Sequence, residues 1–166
     1  MVEVRRATYD DLPRVAAIYA PYVTGTVVTF ELDVPRPAEW RQRLDAVAAA
    51  GLPFLVADGE DGVVGYAYLA PWKTRPAYRH TAEDSVYLDP AARGRGTGGL
   101  LLDALLEEAR AAGVREVLAV IADNGTDVSP RLHRSRGFRD VGRLERVGRK
   151  LDRWVDTVLM QRSLVD

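Results

Sequence analysis

Between an apolar run, Val86-Tyr87-Leu88, and a leucine run, Leu100-Leu101-Leu102, lies Arg93-Gly94-Arg95-Gly96-Thr97-Gly98-Gly99, with four glycines and two arginines in seven positions. Glycine removes the side chains that keep a ligand away from the main chain. The freed N–H groups can converge on an anion at the start of the helix beginning near Thr97, where the positive end of the helix dipole adds to the attraction. Arg93 and Arg95 bring formal positive charge to the same loop. The chemistry is that of phosphate binding. A P-loop is excluded, because Gly98 is followed by Gly99-Leu100 and not by Lys and Ser or Thr. Gly94-x-Gly96-x-x-Gly99 meets the bare dinucleotide spacing, but no run of βαβ units surrounds it. An unliganded β–α connection remains the other reading, although a plain turn seldom needs this many glycines and arginines.

Two further groups carry reactive side chains. Glu83 lies on the apolar strand that leads into the loop, two alternations before Tyr87 and therefore on the same face. By its residues alone it suits a solvated strand-end charge as well as a general base. His133 sits on a short segment, Ser129 to Arg136, closed by Gly137. The polar-aromatic stretch Pro71-Trp72-Lys73-Thr74-Arg75-Pro76-Ala77-Tyr78 has side chains too large for a mere connection and suits the wall of a site, the other reading being an ordinary charged loop.

The elements that must hold these groups follow from periodicity. Val2 to Arg6 alternates as an opening strand, and Thr8 with Asp11 forms a capping-box-like start to a first helix of about 9–23. Thr24 to Asp33 has no helical period. Pro37 opens a second helix that ends at Gly51. Phe54 to Ala57 and Val63 to Leu69 flank a turn cluster as a hairpin. Thr81 to Leu88 is the next strand, and Leu101, Leu102, Leu105, Leu106 and Ala109 mark the apolar face of the helix after the glycine loop. Val114 to Ile121 is a strand, followed by the helix at 129–136. Phe138 to Arg146 and Trp154 to Leu164 can pair as closing strands. The order β α α β β β α β α β β predicts an α/β domain over 1–166, a mixed sheet with helices on both faces.

Composition narrows the classes. The chain has no cysteine, which removes disulfides, thiolate metal sites and a cysteine nucleophile. Its two histidines, His80 and His133, are too few and too far apart for a zinc site, so no metal is expected. A net charge of −1 gives no general reason to expect nucleic acid as a partner. No stretch has the apolar length of a membrane span and no signal-like segment opens the chain, so a cytoplasmic setting is expected.

Arg93-x-x-Gly96-x-Gly98 between a strand and a helix resembles the coenzyme A pyrophosphate loop of the GCN5-related N-acetyltransferases (GNAT). Four further stretches resemble the phosphinothricin and methionine-sulfoximine branch of that family. They are Pro71-Trp72-Lys73-x-Arg75-x-Ala77-Tyr78, Thr81 to Tyr87, Ser129-Pro130-Arg131-Leu132-His133 with Gly137-Phe138, and Thr29-Phe30. Val147-Gly148 and Lys150…Trp154-x-Asp156 fit its C-terminal part. The chain departs from the pattern at Thr126 (usually Asn, with Asn124 two residues earlier), at Val155 (often His) and at Arg149 (an aromatic).

The resemblance implies the GNAT fold, with a mostly antiparallel sheet whose central strands, about 83–89 and 115–121, splay to admit the pantetheine arm. It implies acetyl-CoA as co-substrate, with contacts from Val86, Tyr87, Leu88, Arg93, Gly94, Arg95, Gly96, Thr97, Gly98, Gly99 and either Asn124 or Thr126. Glu83 becomes the general base for the amine. The Leu88 N–H is placed to stabilise the oxyanion. His133 is the candidate donor of a proton to the leaving thiolate, with Tyr87 in reserve. Phe30, Trp72, Lys73, Arg75 and Tyr78 become the contacts to a small amino-acid substrate, Arg75 by bidentate carboxylate binding. A homodimer is implied. Peptide N-termini or polyamines as acceptors, or an acyl-CoA-binding module without activity, are the competing readings.

Overall fold

The computed structural model describes residues 1–165. Seven strands and four helices follow in the expected order: β1 (Glu3–Arg6), α1 (Leu12–Gly25), α2 (Pro37–Ala49), β2 (Phe54–Gly59), β3 (Gly62–Pro71), β4 (Thr81–Leu88), α3 (Thr97–Ala111), β5 (Glu116–Ala122), α4 (Val128–Ser135), β6 (Arg139–Lys150) and β7 (Arg153–Ser163). The strands form one sheet in the order β1-β2-β3-β4-β5-β7-β6. Only the β4–β5 pair is parallel. The rest are antiparallel, as expected of this α/β arrangement.

Thr8 and Asp11 do form a capping box, with the Asp11 carboxylate accepting from the Thr8 N–H at 2.8 Å, but it opens a single 3-10 turn that leads into α1. Leu12, Val15, Ile18, Tyr19, Tyr22 and Val23 make the buried stripe of α1. Trp40 and Val47 do the same for α2. These helices cover one sheet face, where Phe54, Val56 and Tyr66 meet them. α3 covers the other, with Leu101, Leu102, Leu105, Leu106 and Ala109 against Leu55, Ala67, Leu69, Val117 and Met160. With both faces covered, strands β2 and β3 bury neighbouring residues alternately on opposite sides. Each large apolar side chain enclosed this way stabilises the fold by about 1.5–3 kcal/mol.

The β6–β7 hairpin is longer than alternation predicts. Register shifts at Asp140/Gly142 and Leu144/Gly148 break the period-two pattern of β6. The connecting residues, Leu151 and Asp152, both have positive φ (52° and 59°), as in a type I′ turn, and neither is the glycine that would announce it.

Candidate active site

Strand β4 sorts the site by parity. Its odd residues face α1 and α2, where Tyr87 packs edge-on to Tyr19 and stacks with Tyr66. Its even residues face α3 and α4: Ala82, Val86 and Leu88 join the α3 core. β4 pairs with β5 only at Thr81↔Glu116, Ala82↔Val117 and Glu83↔Leu118. Beyond Glu83 the two strands part, while β5 stays paired to β7 as far as Ala122. The splay expected of the central strands therefore opens one residue past Glu83.

The main-chain groups that face this gap follow from the same alternation. The Asp89 N–H donates to Val64 O at 2.8 Å, and Thr81 O accepts from the Trp72 N–H at 3.2 Å, so the odd residues of β4 turn their peptide groups toward β3. Val86 and Leu88 turn theirs the other way, into the gap, as antiparallel pairing requires. The Leu88 carbonyl is occupied by the Tyr22 hydroxyl, which donates to it at 2.5 Å, leaving its N–H as the donor on that side. Tyr87, the reserve proton donor, is placed differently. Its peptide group faces β3, and its phenol lies among Tyr19, Tyr22 and Tyr66, with burial raising its pKa above the ordinary tyrosine value.

Glu83 is half-buried on the odd face, across from Ala70 of β3. Among the described residues no side chain pairs with it or hydrogen-bonds to it. Burial raises its pKa above the usual glutamate value, the charge of Asp84 adds to the rise, and the Lys73 ammonium pulls the other way. An unpaired carboxylate with a raised pKa is suited to accept a proton near neutral pH.

His133, the candidate proton donor, is held at both ring nitrogens. It is 4% exposed, with Nε2 at 2.8 Å from Asp84 Oδ2 and Nδ1 at 2.8 Å from the Ser129 carbonyl oxygen. Both ring nitrogens are therefore engaged, one by the Asp84 carboxyl group and the other by the Ser129 carbonyl. Burial pulls the histidine pKa down, but the bond to Asp84 and its charge outweigh this and set it above the ordinary value. The His133–Asp84 pair fastens α4 to the even face of β4, on the opposite side of the strand from Glu83. Sequence reasoning missed Asp84, because its partner lies 49 residues away and the adjacent Glu83 drew the chemistry.

The glycine loop has two parts. Gly94 (φ 73°) and Gly96 (φ 83°) need a left-handed backbone, and a Cβ on either would meet open space, so their main chain is accessible. Gly96 caps α3 without a side chain, leaving the first N–H groups of the helix uncovered. Gly98 and Gly99 are small for a different reason. A Cβ on Gly98 would come within 3.3 Å of Leu132 of α4, and one on Gly99 within 2.1 Å of Arg136, the residue that follows that helix. Arg93 bends back to α1, donating to the Tyr22 hydroxyl at 2.7 Å, while Arg95 has no ion pair among the described residues. Asn124 accepts from the Thr126 N–H (3.1 Å) and hydroxyl (2.9 Å), so the two are bound to one another in one exposed turn.

The substrate-facing candidates come from two connections. Trp72 follows β3 on the alternation of Tyr68 and Ala70, the face of Glu83, and the Lys73 ammonium sits 5.1 Å from its ring centre. Arg75 and Tyr78 are exposed on the same loop. Phe30 lies between α1 and α2 and rests on the C-terminal hairpin: a Cβ on Gly148 would lie 2.4 Å from its ring. Val155, one of the departures from the family pattern, is 2% exposed opposite Gly148. Below Phe30, Tyr19 bonds to Thr29 (2.6 Å) and to Glu31, and Arg43 clamps Glu31 with both terminal nitrogens.

An accessible anion cradle, a parted sheet with inward N–H groups and an unpaired carboxylate define an enzyme that moves an acyl group from a thioester carrier to an amine. The chain belongs to the GNAT acetyltransferase family, whose acetyltransferase (GNAT) domain model matches residues 4–159. It is 44% identical to a phosphinothricin N-acetyltransferase of Alcaligenes faecalis, over 97% of this chain and 82% of that protein. It is 39% identical to an L-methionine sulfoximine/L-methionine sulfone acetyltransferase of Pseudomonas paraeruginosa, over 97% and 94%. The crystal structure of a GNAT phosphinothricin acetyltransferase from Sinorhizobium meliloti in complex with AcCoA superposes with a TM-score of 0.94 at 40% identity, over 98% of this chain and 88% of that one. The protein is an acetyl-CoA-dependent N-acetyltransferase. The residues fit that donor: Gly94, Gly96 and the open start of α3 suit its diphosphate, and the gap beside Val86 and Leu88 suits its amide-bearing arm.

Proposed function

We propose that this enzyme acetylates the α-amino group of a small amino acid with a glutamate- or methionine-like side chain, of the phosphinothricin, methionine sulfoximine or methionine sulfone type. The observation that carries the reading is Glu83, unpaired at the point where β4 and β5 part and on the sheet face served by the Trp72–Tyr78 loop. The names of the relatives support the substrate class. Acetyl-CoA supplies the acetyl group as a thioester. Glu83 takes the proton from the substrate ammonium, directly or through one water. As the carbon–nitrogen bond forms and the carbon–sulfur bond breaks, the Leu88 N–H stabilises charge on the carbonyl oxygen, and the second proton shed by the attacking nitrogen passes through solvent to the leaving thiolate. Lys73, Arg75 and Tyr78 bind the polar ends of the amino acid, with Phe30 and Trp72 as walls.

The reading includes a cytoplasmic homodimer. Its support is the outer strand β6, an exposed sheet edge that carries Val141, Leu144 and Val147 among its charged residues, of the kind proteins normally cover. The test is thiol release from acetyl-CoA with a panel of phosphinothricin, methionine sulfoximine, methionine sulfone, glutamate, a peptide and a polyamine. Release with the first three and little with the last two is expected. No release with any amino acid would sink the assignment. Arg75→Ala should raise KM for the amino acid about tenfold or more, as expected for loss of a charge-assisted pair of hydrogen bonds, with KM for acetyl-CoA unchanged. An unaltered KM would remove Arg75 from the pocket.

A further inference from the structure

Lys150 ends β6, at the turn of the C-terminal hairpin, and is 5% exposed. Its Nζ donates to the Thr29 carbonyl at 2.7 Å and reaches the Tyr22 carbonyl at 3.4 Å. Tyr22 lies in the last turns of α1, where the negative end of the dipole gathers, and its carbonyl also accepts from the Thr26 hydroxyl at 2.8 Å. Thr29 immediately precedes Phe30. Two residues before Lys150, Gly148 lies under the Phe30 ring, where a Cβ would stand 2.4 Å from Cε2 and 2.5 Å from Cζ. The connection from Thr26 to Arg36 has no regular structure of its own. It is held from below at its main chain by Lys150 and at its aromatic side chain by the bare surface of Gly148.

A buried ammonium is costly, and among the described residues no carboxylate is in contact with Lys150 to offset that cost. Burial pulls its pKa below the usual lysine value, opposed by the nearby charge of Glu31. An apolar side chain would fill the space without this penalty but could not bridge two carbonyls.

We propose that Lys150 and Gly148 are positioning residues that fix Phe30 as a wall of the amine pocket and so set which amino-acid side chains are accepted. The inference rests on the substrate reading above, and its test separates the two. Lys150→Met should raise KM for the amino acid about tenfold, leave kcat and KM for acetyl-CoA within about threefold, and speed amide exchange across 26–33 while β4 and α3 stay protected. Lys150→Arg should recover part of the loss. Gly148→Ala should change the ratio of kcat/KM between a short and a long amino-acid side chain by about tenfold, the scale on which a pocket reads one methylene. Unchanged exchange in Lys150→Met, or substrate ratios within twofold of the parent in Gly148→Ala, would overturn the proposal. So would exchange that rises throughout the protein, which marks a merely structural role. If the parent enzyme acetylates no amino acid while exchange in Lys150→Met rises only at 26–33, the substrate reading falls and the positioning of Phe30 stands.

Discussion

Glu83→Gln should lower kcat by about 10²–10⁴, the range over which a positioned base contributes, with KM for acetyl-CoA unchanged. The amide has nearly the shape of the acid but cannot take the proton of an ammonium. The same substitution should not destabilise the protein. Burial and the charge of Asp84 raise the Glu83 pKa in the fold, so the ionised form is disfavoured there relative to the unfolded chain. Its charge therefore costs stability, increasingly so as pH rises from the unfolded glutamate value through the folded one, and the glutamine variant should melt at the same temperature or higher near neutral pH. Activity runs in the opposite sense. The parent enzyme should lose turnover as pH falls through the raised Glu83 value, and the variant should lack that acid limb, keeping only the one belonging to the substrate amine. A variant that turns over within tenfold of the parent and keeps the acid limb would show that another group takes the proton.

The parts of this site written in local spacing could be read before the fold was known. The bounds Thr81–Leu88 for β4, the start of α3 at Thr97 and the order of all eleven elements each depend on apolar period or turn chemistry within a few residues of themselves. The hairpin turn at Leu151-Asp152 was hidden because its left-handed backbone is held by pairing on both sides and not by glycine. The small size of Gly98 and Gly99 was legible, but half of its cause was not: Leu132 of α4 and Arg136 just past its end cross over them, more than thirty positions on. Lys150 reaching Thr29 across 121 positions is of the same kind. Pairing of buried polar groups depends on which elements meet, and no periodicity carries that information. His133 shows the consequence: its residue type suggested acid chemistry, and only Asp84 at 2.8 Å reveals what occupies its protons.

His133→Ala should destabilise the protein by about 3–5 kcal/mol, because it strands the Asp84 carboxylate, 3% exposed, without a partner. Asp84→Asn combined with His133→Gln, which keeps a neutral hydrogen-bonded pair, should recover much of that loss, whereas either single change should not. The pair also gives stability a pH dependence. The folded pKa of His133 lies above its unfolded value near 6.5. Its contribution is therefore complete below pH 6.5 and is lost as pH rises through the folded value. Urea unfolding across that interval should show stability falling in the parent and a flatter course in the double variant. Turnover decides between support and chemistry. Measured on the folded fraction, the double variant should keep kcat within several-fold of the parent, because both ring nitrogens of His133 are engaged by Asp84 and Ser129 and the buried pair serves as a support for α4. A fall of about 10²–10⁴ in kcat, with the fold intact, would restore His133 to the reaction as its acid. In that case the Asp84 pairing must open during turnover, and exchange at α4 should then rise when acetyl-CoA binds.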